Sequence, residues 1–142
     1  MTGIPLQSLL IGAVQPLGSR GIPSGIAKTC VDQSLALGPL GLAGDAQGDT
    51  KHHGGAEKAL HHYALDHYPD WEAEIGTRAA LGAAGGFGEN LSTLGLVEDD
   101  VAVGDVFALG NAIIEVSQGR QPCWKLNERF VQPDMARRVQ AS

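Results

Sequence analysis

Short apolar runs separated by glycine- and proline-containing turns dominate the first third of the chain. Residues 9–14 are apolar and are followed by Gln15-Pro16-Leu17-Gly18, so the pattern predicts a strand that ends in a turn. Residues 18–25 have the composition of a flexible connector. Residues 26–31 alternate between apolar and polar positions and predict a second strand, and residues 34–37 predict a short third one.

Helical spacing first appears at residues 57–67, where the pattern predicts an amphipathic helix. Pro69 interrupts this pattern and suits the first position of a second short helix, so the two would form a helical hairpin. The apolar and aromatic residues that share one face at this spacing are Leu60, Tyr63, Ala64, His67 and Trp71.

The last third contains a clear hairpin pattern. Apolar runs at 104–109 and 112–116 flank Gly110-Asn111, a two-residue connection typical of β-hairpins. Residues 124–130 and 134–139 then predict two short helices. With five to seven short strands and a helical insertion, we expect a mainly β fold with α insertions (α+β). It would be a mostly β barrel with a short helical hairpin and C-terminal helices, in a single domain over 1–142.

Composition and charge narrow the class of protein. The 142 residues are 43% hydrophobic and 18% charged, which is typical of a globular domain. The net charge of −6 argues against nucleic-acid or membrane partners, and the N-terminus has neither a signal-peptide pattern nor a membrane span. Cys30 and Cys123 lie far apart, so a reducing cytoplasm is the expected compartment, with Cys30 a packing residue.

Residues 116–126 carry the clearest chemical signal. The segment runs from a β-branched strand into a turn with Gly119 and Pro122, and it places Cys123 between Arg120 and Lys125. Neighbouring cations favour the thiolate, which is the form in which cysteine acts as a nucleophile or metal ligand. The alternative is that Cys123 is a small buried hydrophobic residue, as free cysteines often are.

Two other regions contain candidate functional residues. Residues 38–55 form a glycine-punctuated segment with histidines and acidic residues, and a loop of this length in a compact domain is usually functional or disordered. Its composition favours a functional loop, and the alternative is a merely flexible surface loop. Lys28 stands among small apolar residues, either as a functional cation or as an edge-strand lysine that discourages aggregation. His61, His62 and His67 are expected on the helix surface or half-buried, and their spacing does not suggest a zinc site.

Several short motifs occur in a specific order across residues 24–136. They are Gly44-Asp45-Ala46-Gln47-Gly48-Asp49, His53-Gly54-Gly55, Lys58-Ala59-Leu60 with His62-Tyr63, Phe87-Gly88-Glu89-Asn90-Leu91, Gly104-Asp105-Val106-Phe107 and Pro122-Cys123-Trp124-Lys125-Leu126. Each motif is weak alone, but in this order the chain resembles the MOSC domain family, named for the C-terminal domain of molybdenum cofactor sulfurase. Within that family it is similar to the bacterial YiiM-type proteins.

The resemblance implies a β-barrel that binds the molybdenum–pterin cofactor (molybdopterin), with Cys123 as molybdenum ligand and catalytic cysteine. It implies reduction of N-hydroxylated compounds, such as hydroxylamino base analogues and amidoximes, with electrons from a separate flavin-containing reductase. Pyridoxal phosphate binding is also associated with the family. A soft thiolate agrees with a sulfur-rich metal centre. The alternatives are a non-catalytic molybdopterin or sulfur carrier, and a barrel without cofactor.

The resemblance also suggests roles for other residues. The cations expected at the cofactor phosphate are Lys28, Lys58, Arg120 and Lys125, of which Arg120 is best suited to bidentate contacts. The hydrogen-bonding and close-approach residues expected at the pterin or substrate are Ser117, His53, Asn90, Gly54 and Gly55. The candidates for supplying protons are Asp49, Glu89 and His53, with His53 the more natural shuttle near neutral pH. The alternatives are that Glu89 and Asn90 only tie loops together and that Asp45 caps a turn.

Two features depart from the family pattern. Gly119-Arg120 stands where the family usually has Pro-Arg, which implies a looser loop before the cysteine. YiiM-type proteins usually continue into a helical C-terminal region, whereas this chain stops at Ser142. We therefore expect either a minimal or truncated version, or a chain whose missing region is replaced by a partner or a second subunit. A short barrel without that region would expose apolar surface, so a homodimer is expected.

Overall fold

The computed structural model describes residues 3–48 and 54–142, which form a mixed α+β fold. The strands of these residues are β1 (Leu6–Ile11), β2 (Gln15–Leu17), β3 (Ile22–Ser24), β4 (Thr29–Val31), β5 (Leu37–Gly38), β6 (Gly41–Leu42), β7 (His62–Ala64), β8 (Leu91–Thr93), β9 (Val106–Leu109) and β10 (Ala112–Glu115). The α-helices are α1 (Tyr68–Ile75), α2 (Lys125–Phe130) and α3 (Met135–Ala141). Single 3-10 turns occur at Ala56–Lys58, Leu65–His67, Ala79–Leu81 and Glu98–Asp100.

The main sheet has the strand order β4-β1-β8-β7. Its central strand β1 runs antiparallel to both β4 and β8, while β7 runs parallel to β8. Three two-stranded sheets, β2–β3, β5–β6 and β9–β10, complete the described part of the chain. These sheets do not close into a barrel, so the predicted α+β class is confirmed and the predicted barrel is not.

Aromatic side chains form the centre of the hydrophobic core. The ring of Phe87 lies 4.6 Å from that of Phe130 and 4.2 Å from that of Tyr63, measured between centroids. Tyr68 and Trp71 of α1 are buried in the same cluster. The three helices and the loop before β8 therefore share one core, which removes apolar surface from water.

The prediction of a helix over residues 57–67 is wrong. This stretch forms the 3-10 turn Ala56–Lys58, then strand β7, then the 3-10 turn Leu65–His67. β7 pairs with β8, almost thirty positions later, with Tyr63 opposite Ser92. The local spacing of these residues also fits a helix, but pairing with a strand that is remote in sequence prevails over it.

The first third also differs from prediction. The turn expected at residues 15–18 is strand β2, which pairs with β3 inside the predicted connector. The strand predicted for residues 26–31 is shortened to β4, and Cys30 within it is exposed rather than packed.

Several other elements are confirmed. The hairpin around Gly110-Asn111 forms β9 and β10, with Ala112 opposite Leu109. Pro69 lies in the first turn of α1, and the two predicted C-terminal helices form α2 and α3. No helix in the described ranges is long and apolar enough to cross a membrane.

Candidate functional site

An open cavity of about 1890 Å³ collects most of the residues that the sequence predicts to be functional. Those that line it are Lys28, Lys58, Asn90, Ser117, Arg120, Cys123 and Lys125. They come from positions nearly one hundred residues apart in the chain. The lining of this cavity therefore includes one thiol and several cations.

Four predicted residues are not among those that line the cavity. Gly54 and Gly55 do not line the cavity. Gly55 has a left-handed φ of 101°, and no neighbouring atom lies within 4 Å of the position its Cβ would occupy. The space beside this backbone is open, and its close approach to a ligand stays a prediction. Asp49 and His53 lie outside the described residues.

Cys123 is half-buried at the start of the turn that leads into α2. Its backbone carbonyl accepts a hydrogen bond from the Leu126 amide at 3.0 Å, so the helical turn begins at the cysteine. Cys123 and Cys30 form no disulfide. The following residue, Trp124, lies beneath the Arg20 guanidinium at 5.2 Å from its ring centre. The hydrogen bond at Cys123 and the cation–π contact at Trp124 therefore fix the start of the helix.

Lys125 supplies a buried cation next to the cysteine. Its residue is only 7% exposed, yet it lines the cavity. A charge that is largely removed from water is costly unless a counter-charge lies near it, so this position favours an anionic ligand in the cavity.

Segment 117–120 is fastened to the turn at Ala56–Lys58 by three hydrogen bonds. The Ser117 hydroxyl donates to the Glu57 carbonyl at 2.6 Å, and the Gln118 amide donates to the Glu57 carboxylate at 3.4 Å. Arg120 Nη2 donates to the Lys58 carbonyl at 2.9 Å. These bonds hold the cysteine-bearing segment against the turn at Ala56–Lys58. They occupy the Ser117 hydroxyl and one of the five N–H groups of Arg120.

A buried ion pair forms another part of the wall. Lys28 Nζ lies 2.7 Å from Asp45 Oδ1, and the two side chains are 7% and 2% exposed. Lys28 also donates to the Gly25 carbonyl at 2.9 Å, and Asp45 Oδ1 accepts from the Gly12 amide at 2.9 Å. Lys28 is therefore not an exposed edge lysine, and its ammonium is already matched by a carboxylate.

Asn90 ties this ion pair to two strands. Its Nδ2 donates to Asp45 Oδ2 at 3.0 Å and to the Leu10 carbonyl at 3.1 Å. Its Oδ1 accepts from the His61 amide at 3.0 Å. Both amide donors are thus used within the protein, which supports the interpretation that Asn90 ties loops together. Its role toward a cofactor stays a prediction.

His61 is a cavity residue that the sequence analysis missed. Burial, followed by the positive charge of Arg120, lowers the pKa of His61 to about 3, although a hydrogen bond to the Gly88 backbone acts in the opposite direction. His62 and Lys28 lower it further. The imidazole is therefore neutral near pH 7. The sequence predicted it on a helix surface or half-buried and gave it no role. Its position beside the His62-Tyr63 motif is the one signal that could have indicated it.

Arg120 keeps its charge in spite of partial burial. Burial lowers the pKa of Arg120, and the negative charge of Asp45 opposes this effect. A guanidinium starts from so high a pKa that it remains protonated. Asp45 thus acts on two cations of the cavity wall, Lys28 by direct contact and Arg120 through space.

Glu89 lies behind the cavity, not at its surface. It is fully buried and accepts hydrogen bonds from Tyr68 at 2.5 Å and from the Phe87 amide at 3.0 Å. Burial, followed by the charge and hydrogen bond of Glu89, raises the pKa of Tyr68, so the phenol stays protonated and donates. These contacts fix the loop that carries Asn90, and they favour the loop-tying alternative for Glu89 over proton transfer.

The side chains at the cavity offer few metal ligands of their own. Across residues 3–48 and 54–142, no three His, Cys, Asp or Glu side chains are grouped so as to hold a metal ion. Cys123 can offer a single soft ligand, which suits a metal that brings its other ligands with it. The cations beside it suit a phosphate. The residues present therefore fit this kind of cofactor.

Comparison with known proteins agrees with this chemistry. The sequence pattern of the MOSC domain matches residues 49–142. Protein YiiM of Escherichia coli is 51% identical over 121 residues, which are 85% of this chain and 54% of that protein. A protein of Gibberella moniliformis named "Reductase" is 41% identical over 83% of this chain and 21% of its own length.

A solved structure is also similar. YiiM from Geobacillus stearothermophilus superposes with a TM-score of 0.74 at 34% identity, covering 96% of this chain and 62% of that one. The chain thus spans only about half of the length of the Escherichia coli relative, and less than two thirds of the length of the solved structure.

Proposed function

Because this chain belongs to the MOSC domain family, we propose that it binds a molybdenum–pterin cofactor and reduces N-hydroxylated compounds. The observation that carries the proposal is the convergence of Cys123, Arg120 and Lys125 on one cavity. A soft ligand and two cations are the chemistry that a metal centre with a phosphate-bearing cofactor requires. The closed β-barrel that the family resemblance implies is part of this proposal and is not formed by the sheets described above.

Each residue has a defined task in this proposal. Cys123 holds the metal through its sulfur, and the cations Arg120 and Lys125 line the same cavity. Arg120 retains four of its five N–H groups after donating to Lys58, enough for a bidentate phosphate contact. Lys58, Ser117 and Lys28 line the same cavity and complete the set of cofactor-binding candidates.

The reaction consumes two electrons and two protons. The N–O bond of the hydroxylamine or amidoxime breaks, the nitrogen is reduced to the amine or amidine, and the oxygen leaves as water. When bound, the cofactor would supply a redox-active metal for this electron transfer. The protein must supply protons, and His53 and Asp49 are the residues proposed for that task.

Metal retention is the sharpest test of the ligand. Purified from a host that makes the cofactor, the Cys123→Ser protein should contain about tenfold less molybdenum than the wild type or lower still, since a hydroxyl is a poor soft-metal ligand. Elemental analysis by mass spectrometry measures this. Cys30→Ser is the matched control, because Cys30 is exposed and does not line the cavity. Full molybdenum content in Cys123→Ser would refute the assignment.

Turnover is tested separately from binding. With an artificial electron donor, the metal-loaded protein should reduce benzamidoxime or hydroxylaminopurine, and Cys123→Ser should not. Molybdenum and pterin without turnover would instead establish the second candidate, a cofactor or sulfur carrier. A protein that takes up neither metal nor pterin would contradict both.

The partners belong to the same proposal. We propose a separate flavin-containing reductase as electron donor and the cytoplasm as compartment. A homodimer is proposed as well, because Val106 and Ile113 of the β9–β10 hairpin are 61% and 71% exposed. A monomeric mass by light scattering at the working concentration would rule the dimer out.

A further inference from the structure

The buried ion pair between Lys28 and Asp45 has a consequence beyond holding the cavity wall. Its oxygen and nitrogen are 2.7 Å apart, and both side chains are almost fully removed from water. Charges in such surroundings are screened far less than charges in solvent. A change of one charge here is therefore felt by any anion that enters the cavity.

The surroundings of the pair define a local balance of charge. Lys28, Arg120 and Asp45 all line the cavity, and the neutral His61 lies among them. Two cations and one carboxylate leave one net positive charge in this part of the wall. Without Asp45 the same part would carry two.

We propose that Asp45 is a specificity-determining residue that limits the affinity of the cavity for anions by cancelling the charge of Lys28. This rests on the proposed function, in which one anionic group of the cofactor binds in the cavity. A wall with a single net positive charge would hold one phosphate and leave the uncharged remainder of the ligand to hydrogen bonds. It would also lower competition from free phosphate and other small anions.

Asp45 is suited to this role because its position does not depend on Lys28 alone. Oδ1 also accepts the Gly12 amide at 2.9 Å, and Oδ2 accepts the Asn90 amide at 3.0 Å. Two neutral donors therefore keep the carboxylate in place when the ammonium is removed. Asparagine at the same position keeps an oxygen for the Gly12 amide while it removes the charge.

The test measures inorganic phosphate binding to the cofactor-free protein at constant ionic strength, by calorimetric titration. Asp45→Asn should bind phosphate at least about threefold more tightly, because it removes one negative charge from the cavity lining. Lys28→Met should bind it weaker by a similar factor. The double variant Lys28→Met with Asp45→Asn has the net charge of the wild type and should return to wild-type affinity.

Opposite changes in phosphate affinity in the two single variants distinguish this role from a purely structural one. If the pair only supports the wall, both single variants should have lower melting temperatures and weaker phosphate binding, and the double variant should not recover. Either that result or unchanged phosphate affinity in Asp45→Asn would overturn the proposal. The double variant leaves no unmatched buried charge, so it remains testable even if a single variant fails to fold.

The experiment does not depend on the metal. Phosphate binding is measured without cofactor, whereas the ligand role of Cys123 is measured by molybdenum content. If Cys123→Ser loses molybdenum but the two single variants do not change phosphate affinity in opposite directions, only the role of Asp45 is refuted. If the phosphate affinities change in opposite directions but the protein takes up no molybdenum, only the proposed function is refuted.

Discussion

At the scale of single residues, His61 shows what the sequence could not reveal. Its neutrality arises from burial and from Arg120, which lies 59 positions later in the chain. Cys123, Arg120 and Lys125 could be predicted because they are neighbours in sequence. Asp45 and His61 reach the cavity only because the fold brings distant segments of the chain together. No local sequence pattern predicts this arrangement.

The neutral state of His61 makes stability depend on pH. Its pKa is about 3 in the folded protein against 6.5 when unperturbed, so below pH 6.5 the unfolded chain binds the proton more readily. The free energy of unfolding should therefore fall as the pH is lowered from 6.5 toward 3, with a His61 contribution of up to about 1.4 kcal/mol per pH unit. At pH 7 and above this contribution to the pH dependence vanishes.

His61→Gln is the variant that isolates this effect. Glutamine can still donate a hydrogen bond toward the Gly88 carbonyl but takes up no proton in this range. Urea unfolding at pH 7, 6 and 5 should show that the wild type loses stability relative to His61→Gln as the pH falls. His62, whose pKa burial also lowers, is present in both proteins and cancels in the difference. Parallel pH profiles would mean that His61 titrates normally.

At the scale of elements, the turn of one hairpin was predicted from local chemistry, but residues 15–17 form a strand in place of the expected turn, and the remote strand pairing was not predicted. Gly110-Asn111 indicated the β9–β10 hairpin because a two-residue turn determines which strands pair. Residues 57–67 have helical spacing, yet His62–Ala64 becomes β7 because β8 offers it a parallel partner. Parallel pairing needs a long crossover, so its partner lies outside any local window.

The loop between Ala79–Leu81 and β8 provides a test of close packing. A Cβ on Gly86 would lie 2.1 Å from the Ala80 carbonyl oxygen, a backbone atom that cannot turn aside. We expect Gly86→Ala to lower the free energy of unfolding by about 1–3 kcal/mol, the usual cost of overpacking. It should also weaken the hydrogen bond that the Gly86 amide donates to Tyr68.

Gly119→Ala is the matched control for that change. Nothing lies within 4 Å of the Cβ position at Gly119, and its φ is outside the left-handed region. Its unfolding free energy should stay within about 0.5 kcal/mol of the wild type. Equal denaturation midpoints for the two variants would show that the loop around Gly86 can open without cost.

At the scale of the whole molecule, the order of the motifs predicted the family, but it did not predict the local stability of each part of the fold. Leu10 of β1 and Ser92 of β8 are fully buried, whereas the β9–β10 hairpin has exposed apolar residues on its outer face. Beyond the hairpin, the chain is hydrogen-bonded to the turn at 56–58 through Ser117, Gln118 and Arg120. Local stability should therefore be highest in the main sheet and lower in the hairpin.

Hydrogen exchange can measure this difference along the chain. Amides of β1 and β8 should exchange at the slow rate set by global unfolding, and those of β9 and β10 should exchange faster through local opening. Ser117→Ala removes the 2.6 Å bond to the Glu57 carbonyl, so exchange should rise further in the hairpin and around Cys123 while β1 stays unchanged. Gln121→Ala, an exposed change in the same loop, should leave the exchange pattern as it is. If Ser117→Ala instead accelerates β1 and the hairpin equally, the hairpin opens only with the whole domain, and the wall that carries Cys123 is as rigid as the sheet opposite.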